Sequence, residues 1–165
     1  MLRRNKLAVV SHCVLNQNSV VYDLARAEGA FHAIVTVLTR RGFGIYQLGC
    51  PELLYAGMDR KPQTYSEYDT PEYLTVCQKT AGRALADLDL LRASGAQVEL
   101  LVGIHHSPTC SISGTAGHLF QMLLPELQRR FPDMLVQEVP ADYSEARSQA
   151  FTEALEDAVS RIGKL

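Results

Sequence analysis

Val98-Glu99-Leu100-Leu101-Val102-Gly103-Ile104, running into His105-His106-Ser107-Pro108-Thr109-Cys110, decides the fold. Six of its first seven residues carry no charge or polar side chain. The run is far too short to span a bilayer and suits a strand buried in a sheet. Upstream, Thr70 before Pro71 is a cap followed by a first-turn proline. The helix it opens carries Leu74, Cys77, Ala81, Ala84, Leu85, Leu88 and Leu91 on one face and stops at Gly95. Downstream, residues 115–130 read as a helix with Leu119, Met122, Leu123 and Leu127 inward, Met134–Val139 as a strand, and Ser144–Ile162 as an amphipathic helix with Gly163 past its end. Towards the amino terminus, Leu7–Ser11 and Ile45–Leu48 read as strands. Between them, 25–40 reads as a helix with Ala30, Phe31, Ile34, Val35 and Leu38 at helical spacing and Gly42 as its cap. Strands that alternate with helices imply right-handed crossovers and parallel pairing. The expected fold is α/β: a small Rossmann-like or flavodoxin-like parallel sheet of about four strands, helices on both faces, in one domain over 1–165.

Composition limits what such a domain can do. Sixteen Lys and Arg against 18 Asp and Glu give a net charge of −2, without the basic surface that non-specific nucleic-acid binding needs. The pairs Arg3/Arg4, Arg40/Arg41 and Arg129/Arg130 are scattered. Met1–Lys6 is basic, but Leu7–Val10 is too short for the core of a signal peptide. The expected setting is the cytoplasm, where thiols stay reduced and four cysteines are metal ligands, catalytic thiols or core residues.

Three of those cysteines share a position in the expected fold. Cys13 follows the first strand, Cys50 the second, and Cys110 lies in the loop after the third. Parallel strands end along one edge, where open α/β sheets bind ligands. Cys77 sits on the apolar stripe of its helix and reads as a small buried hydrophobe. Thiolates select zinc, copper(I) or iron–sulfur clusters, and three of them leave a metal position open for chemistry. Unrelated loop thiols fit the spacing equally well. The link Pro51–Asp69 is longer than such connections usually are. It carries Tyr55, Arg60, Lys61, Tyr65 and Tyr68, and reads either as a lid or substrate clamp, with Arg60 and Tyr68 as binding residues, or as a plain surface insertion.

The motifs around the three cysteines are Ser11-His12-Cys13-Val14-Leu15-Asn16, Gly49-Cys50-Pro51-Glu52 and Ser107-Pro108-Thr109-Cys110. Taken in order, they resemble the thiouracil desulfurase family. That family has a cysteine and a nearby Asn after the first strand, Cys-Pro-Glu after the second, and Ser-Pro-x-Cys after the third. Residues 52–69 look more like a divergent branch than like the characterised thiouracil enzymes. Ser111 stands where the family has Gly, and His105-His106 lie outside its pattern. The resemblance implies a [4Fe–4S] cluster held by Cys13, Cys50 and Cys110, with one iron lacking a protein ligand. It implies a reaction that replaces C=S by C=O in a small thiolated compound and releases sulfide. Ser107 and Glu52 would then move protons or hydrogen-bond substrate, and Asn16 would orient it.

Plainer roles compete at each position: a turn bond for Ser107, a helix-start charge for Glu52, an ordinary turn for Asn16. The pair His105-His106 could be zinc ligands, proton shuttles or solvated side chains. Residues 113–117 could cradle an anion or simply cap the following helix. Other functions open to the same cysteines are a zinc hydrolase and a non-catalytic sulfur-binding module. A thiol phosphatase wants Cys-x5-Arg, and position 19 is Ser.

Overall fold

The computed structural model describes residues 2–162. Its four-stranded sheet is built from β1 (Lys6–Val10), β2 (Gly44–Gln47), β3 (Gln97–Ile104) and β4 (Leu135–Val139), all parallel, in the order β2-β1-β3-β4. Seven helices accompany it among the described residues: α1 (His12–Leu15), α2 (His32–Arg40), α3 (Pro51–Ala56), α4 (Tyr65–Tyr68), α5 (Pro71–Ala93), α6 (His118–Arg130) and α7 (Gln149–Ser160). The chain is an α/β protein with the strand order that flavodoxin-like sheets use.

Pleating sends successive strand residues to opposite faces. Val9, Val98 and Leu101 pack with Cys77, Ala81 and Leu88 of α5 and Leu119, Leu123 and Leu127 of α6. Ala8, Val10, Leu100 and Val102 pack with Ile34 and Leu38 of α2 and Phe151, Leu155 and Val159 of α7. A register shift between Leu7 and Ala8 leaves Glu99 as the extra residue, so Val98 and Leu101 share a face although three positions separate them. Cys77 is fully buried, as its place on the stripe predicts.

Several boundaries differ from the sequence expectation. Helix α2 begins at His32 rather than near 25, because Gln17 holds the preceding segment: its amide bonds Gly29 O and its Oε1 accepts Arg26 N at 2.8 Å. Helix α6 begins at His118, not 115. The His118 and Leu119 amides donate to Pro108 O and Thr109 O at 3.0 and 3.1 Å, so the upstream loop caps the helix. The last helix begins at Gln149. Glu145 accepts Tyr143 Oη at 2.9 Å and Ala33 N at 3.2 Å, which holds 145–147 as a separate tight turn. Gly163 lies outside the described residues.

The 51–69 link is largely ordered into helices. Cys50-Pro51 starts α3, and Thr64 with Glu67 forms a capping box on α4. Tyr68 is buried against Tyr73, their ring centroids 4.3 Å apart, and Tyr65 stacks on His118 at 3.9 Å. At these two tyrosines the segment packs as part of the wall.

Candidate functional site

The chain passes from β1 to β2 on one side and then to β3 on the other. The crevice between the ends of β1 and β3 is therefore the switch point where doubly wound sheets bind ligands. Three turns converge there. After β1, Ser11 N and Ser11 Oγ both donate to Val102 O, at 3.0 and 3.2 Å, and α1 starts at once with Cys13 in its first turn. After β2, Leu48 N donates to Val10 O at 2.9 Å, and Cys50 stands at the start of α3. After β3, the loop doubles back so that Ile104 N donates to Cys110 O at 2.9 Å.

Two glycines make the third turn possible. A Cβ on Gly103 would lie 2.8 Å from Cys110 O, and one on Gly117 would lie 2.2 Å from Thr109 C. Ser107 Oγ accepts the amides of Thr109 and Cys110 at 3.2 and 2.9 Å, which fixes the Cys110 backbone and leaves the serine proton free to donate.

Cys13, Cys50 and Cys110 line one cavity of about 340 Å³, together with Glu52, Arg60 and Ser107. The candidate site residues named from the sequence thus meet in one place, with two exceptions. Asn16 is not among the lining residues: its Oδ1 accepts Asn18 N and Nδ2, both at 3.1 Å, as a turn cap. Tyr68 is also absent from the lining, being stacked in the core behind it.

Glu52 is held at both oxygens. Thr109 Oγ1 donates to Oε1 at 2.7 Å, and Arg60 Nε lies 3.6 Å from Oε2. Since the Thr109 proton goes to Glu52, Tyr73 Oη donates to Thr109 Oγ1 at 2.6 Å, giving a chain Tyr73–Thr109–Glu52. Arg60 is buried and also donates to Ser19 O at 2.6 Å and Gly57 O at 2.9 Å, tying α3 to the turn after α1. Its Nε and Tyr68 Oη are buried without a hydrogen-bond partner.

Sequence reading missed several lining residues. Gln17 Nε2 donates to Cys13 O at 2.8 Å. His12 Nδ1 donates to Leu48 O at 3.0 Å. Arg26 donates to Pro140 O and Ala141 O and faces Cys13 as the cation that partly offsets its burial. Periodicity absorbs Arg26 into a helix, and no motif marks an arginine that bonds only carbonyls.

The three thiols are electrostatically coupled. Burial pushes Cys13 up to about 12, with Cys50 adding to the rise. Burial also raises Cys110 well above the usual thiol value, reinforced by Cys13 and opposed by Ser11. Cys50 rises for the same first reason, with Leu53 and Glu52 amides opposing. As free thiols they are protonated and poorly nucleophilic at neutral pH, and a thiolate has to form before any of them attacks a substrate or binds a metal.

Among the described residues, no group of three or more His, Cys, Asp or Glu side chains is arranged to hold a metal ion. A single tetrahedral zinc needs sulfurs roughly 3.8 Å apart, from Zn–S bonds of about 2.3 Å. A cluster gives each thiolate its own metal and accepts a wider spread. The structure brings three thiols to one cavity from three separate strand ends.

No family model matches the chain, and no solved structure does. It is similar to an uncharacterized protein of Methanocaldococcus jannaschii, 35% identical over 158 residues that cover 96% of this chain and 99% of that protein. The chain belongs to that protein's family. Among the described residues, no helix is long and apolar enough to cross a membrane.

Proposed function

We propose that the protein is an iron–sulfur-dependent desulfidase that replaces C=S by C=O in a small thiolated compound of the thiouracil kind. The observation that carries this reading is the meeting of Cys13, Cys50 and Cys110 with Ser107 and Glu52 in one cavity, from three separate strand ends. In balance, one thiocarbonyl and one water give one carbonyl and one hydrogen sulfide, with no net change of oxidation state. Cys13, Cys50 and Cys110 would hold a [4Fe–4S] cluster. When bound, that cluster supplies a thiophilic Lewis acid at an iron without a protein ligand.

The chain's own residues do the rest. Ser107, with both backbone amides on its oxygen, keeps its proton for the substrate or the departing sulfur. Glu52, held by Thr109 and Arg60, offers its remaining lone pairs to an N–H of a heterocycle. Arg26 sets positive charge beside the thiols. Val20, Val21, Leu24 and Ile104 give the cavity an apolar side for the ring of a small heterocycle. The substrate is a small molecule, and the setting is the cytoplasm.

The test is the iron, sulfide and zinc content of protein purified anaerobically, followed by sulfide release from a thiolated pyrimidine. About four irons and four sulfides per chain, with turnover, are expected. Stoichiometric zinc in a colourless sample would move the reading to a hydrolase. A loaded cluster without turnover on any thiocarbonyl would make the protein a sulfur-binding module.

A further inference from the structure

Strand β3 ends one residue before His105, whose amide donates to Val139 O at 3.0 Å at the end of β4. His106 follows with φ of +62°, a left-handed turn residue, and the two rings lie 3.9 Å apart. His105 lines the cavity that holds the thiols, alongside Ser107. The roles assigned to Ser107, Glu52 and Arg26 leave His105 without a task.

Its Nδ1 has two neighbours, Ser113 Oγ at 3.2 Å and Glu138 Oε2 at 3.4 Å. Glu138 is an anion cradled at the start of the 113–117 segment, supplied from within the fold. Its Oε1 accepts the amides of Ile112 and Ser113, and its Oε2 accepts the Ser113 hydroxyl. Burial raises the Glu138 carboxyl, but these donors together with His105 outweigh it and hold the group below the usual carboxylate value. At neutral pH Glu138 therefore only accepts. Ser113 has one proton, and it is directed to Glu138. The hydrogen between Nδ1 and these two oxygens can come only from the ring.

We propose that Ser113 and Glu138 hold neutral His105 with its proton on Nδ1, so that Nε2 keeps a lone pair for the cavity and serves as its general base. Nε2 has no protein hydrogen-bond partner among the described residues. In the transfer step, Nε2 takes a proton from the attacking water as its oxygen bonds to the thiocarbonyl carbon, and the imidazolium so formed is stabilised by Glu138. That proton then leaves with the sulfide as the carbon–sulfur bond breaks, which restores the neutral ring. The second proton of the released sulfide comes from the hydroxyl that the water has become, leaving the carbonyl. The other titratable groups around the cavity are His12, Glu52, Arg26, Arg60, His106 and the thiols. The transfer role rests on the desulfidase reading, whereas the tautomer does not.

Two measurements separate them. Proton–nitrogen correlation spectra of histidine-labelled, metal-free protein report which ring nitrogen carries the proton, with His105 assigned by a His105→Gln variant. The Nδ1–H form is expected in the wild type, with the Nε2–H form growing in Glu138→Gln. An Nε2–H ring at His105 in the wild type overturns the proposal. Sulfide release by loaded protein should fall about 100-fold or more in kcat in His105→Ala, the range typical of a lost general base. It should stay near the wild-type rate in His32→Ala, a histidine exposed on α2 away from the cavity. An unchanged kcat in His105→Ala overturns the transfer role. Should the loaded wild type release no sulfide at all, the desulfidase reading falls alone, and the ring tautomer decides whether a base faces the cavity.

Discussion

Replacing Gly117 by Ala isolates the packing on which the Cys110 turn depends. Gly117 has φ of −63° and ψ of 155°, a conformation open to any residue, so backbone strain makes no contribution. The obstruction is contact alone. A Cβ there would lie 2.2 Å from Thr109 C, 2.4 Å from Thr109 O and 2.6 Å from Cys110 N. All three are backbone atoms, which no rotamer change can move. Overpacking of this kind costs roughly 1–3 kcal/mol and sometimes more, and rigid backbone on every side puts the expected value at the upper end, about 3 kcal/mol. For a chain of this length each kcal/mol lowers Tm by roughly 2–4 °C, so a fall of about 6–12 °C is expected. Gly82→Ala is the control. Gly82 sits exposed inside α5 with nothing within 4 Å of a new Cβ, so this change should stabilise by about 0.5–1 kcal/mol. Urea titrations of the two variants beside the wild type give both signs in one experiment. A Gly117→Ala protein as stable as the wild type would show that the loop at Thr109–Cys110 is free to move, and the rigid-turn account of the site would fall with it.

Glu138→Gln should lower stability at neutral pH. The Glu138 carboxyl is held below its ordinary value of 4.5, so its stabilisation is present above that value and fades as pH falls through the folded-state value. Denaturation midpoints taken from pH 7 to pH 3 should converge for the two proteins, and a constant gap would refute the assignment. Thr109→Val leaves the buried Tyr73 hydroxyl and one Glu52 oxygen without partners, for a loss of about 1–3 kcal/mol. Combined with Tyr73→Phe, it should cost less than the two single changes added together. Cys77→Ala should cost roughly 1–2 kcal/mol through lost core packing while leaving metal content unchanged, whereas Cys110→Ala should lower metal content. Equal metal loss in both, read by elemental analysis, would overturn the division between ligand and core thiols.

What the sequence made legible follows the range of the forces involved. The central strands β1 and β3 show as short apolar runs because they are largely buried between the helical layers, and α5 shows because Thr70-Pro71 and Gly95 mark its ends locally. Cys77 declares itself by its place on a stripe. The three edge thiols could be grouped because parallel strands share an edge, so topology does the work that spacing cannot. The segment 25–31 misled because Ala27, Ala30 and Phe31 continue a helical pattern, while Gln17 holds that chain by hydrogen bonds that no periodicity records. Tyr68 misled in another way: an aromatic in a long link looks available to a ligand, and only the packing of α4 on α5 puts it behind the cavity wall. Arg26 and the Ser113–Glu138–His105 cluster escaped because their partners lie 114 and 25–33 positions away.

The placement of the cysteines also fixes when the cavity can exist during folding. Cys13 follows a strand that pairs with β3, and β1 and β3 come together only after about 90 residues of intervening chain have been closed into a loop. Pairing across that separation carries a larger closure entropy than the β1–β2 contact, and contacts of this kind form late. A nascent chain can bring Cys13 and Cys50 together through β1 and β2, but the third thiol joins them only when the central pair of strands zips. Until then the chain offers two thiols, too few to hold what three can. The order of strands across the sheet thus acts as a checkpoint, reserving the complete set of thiols for a chain whose core is already assembled.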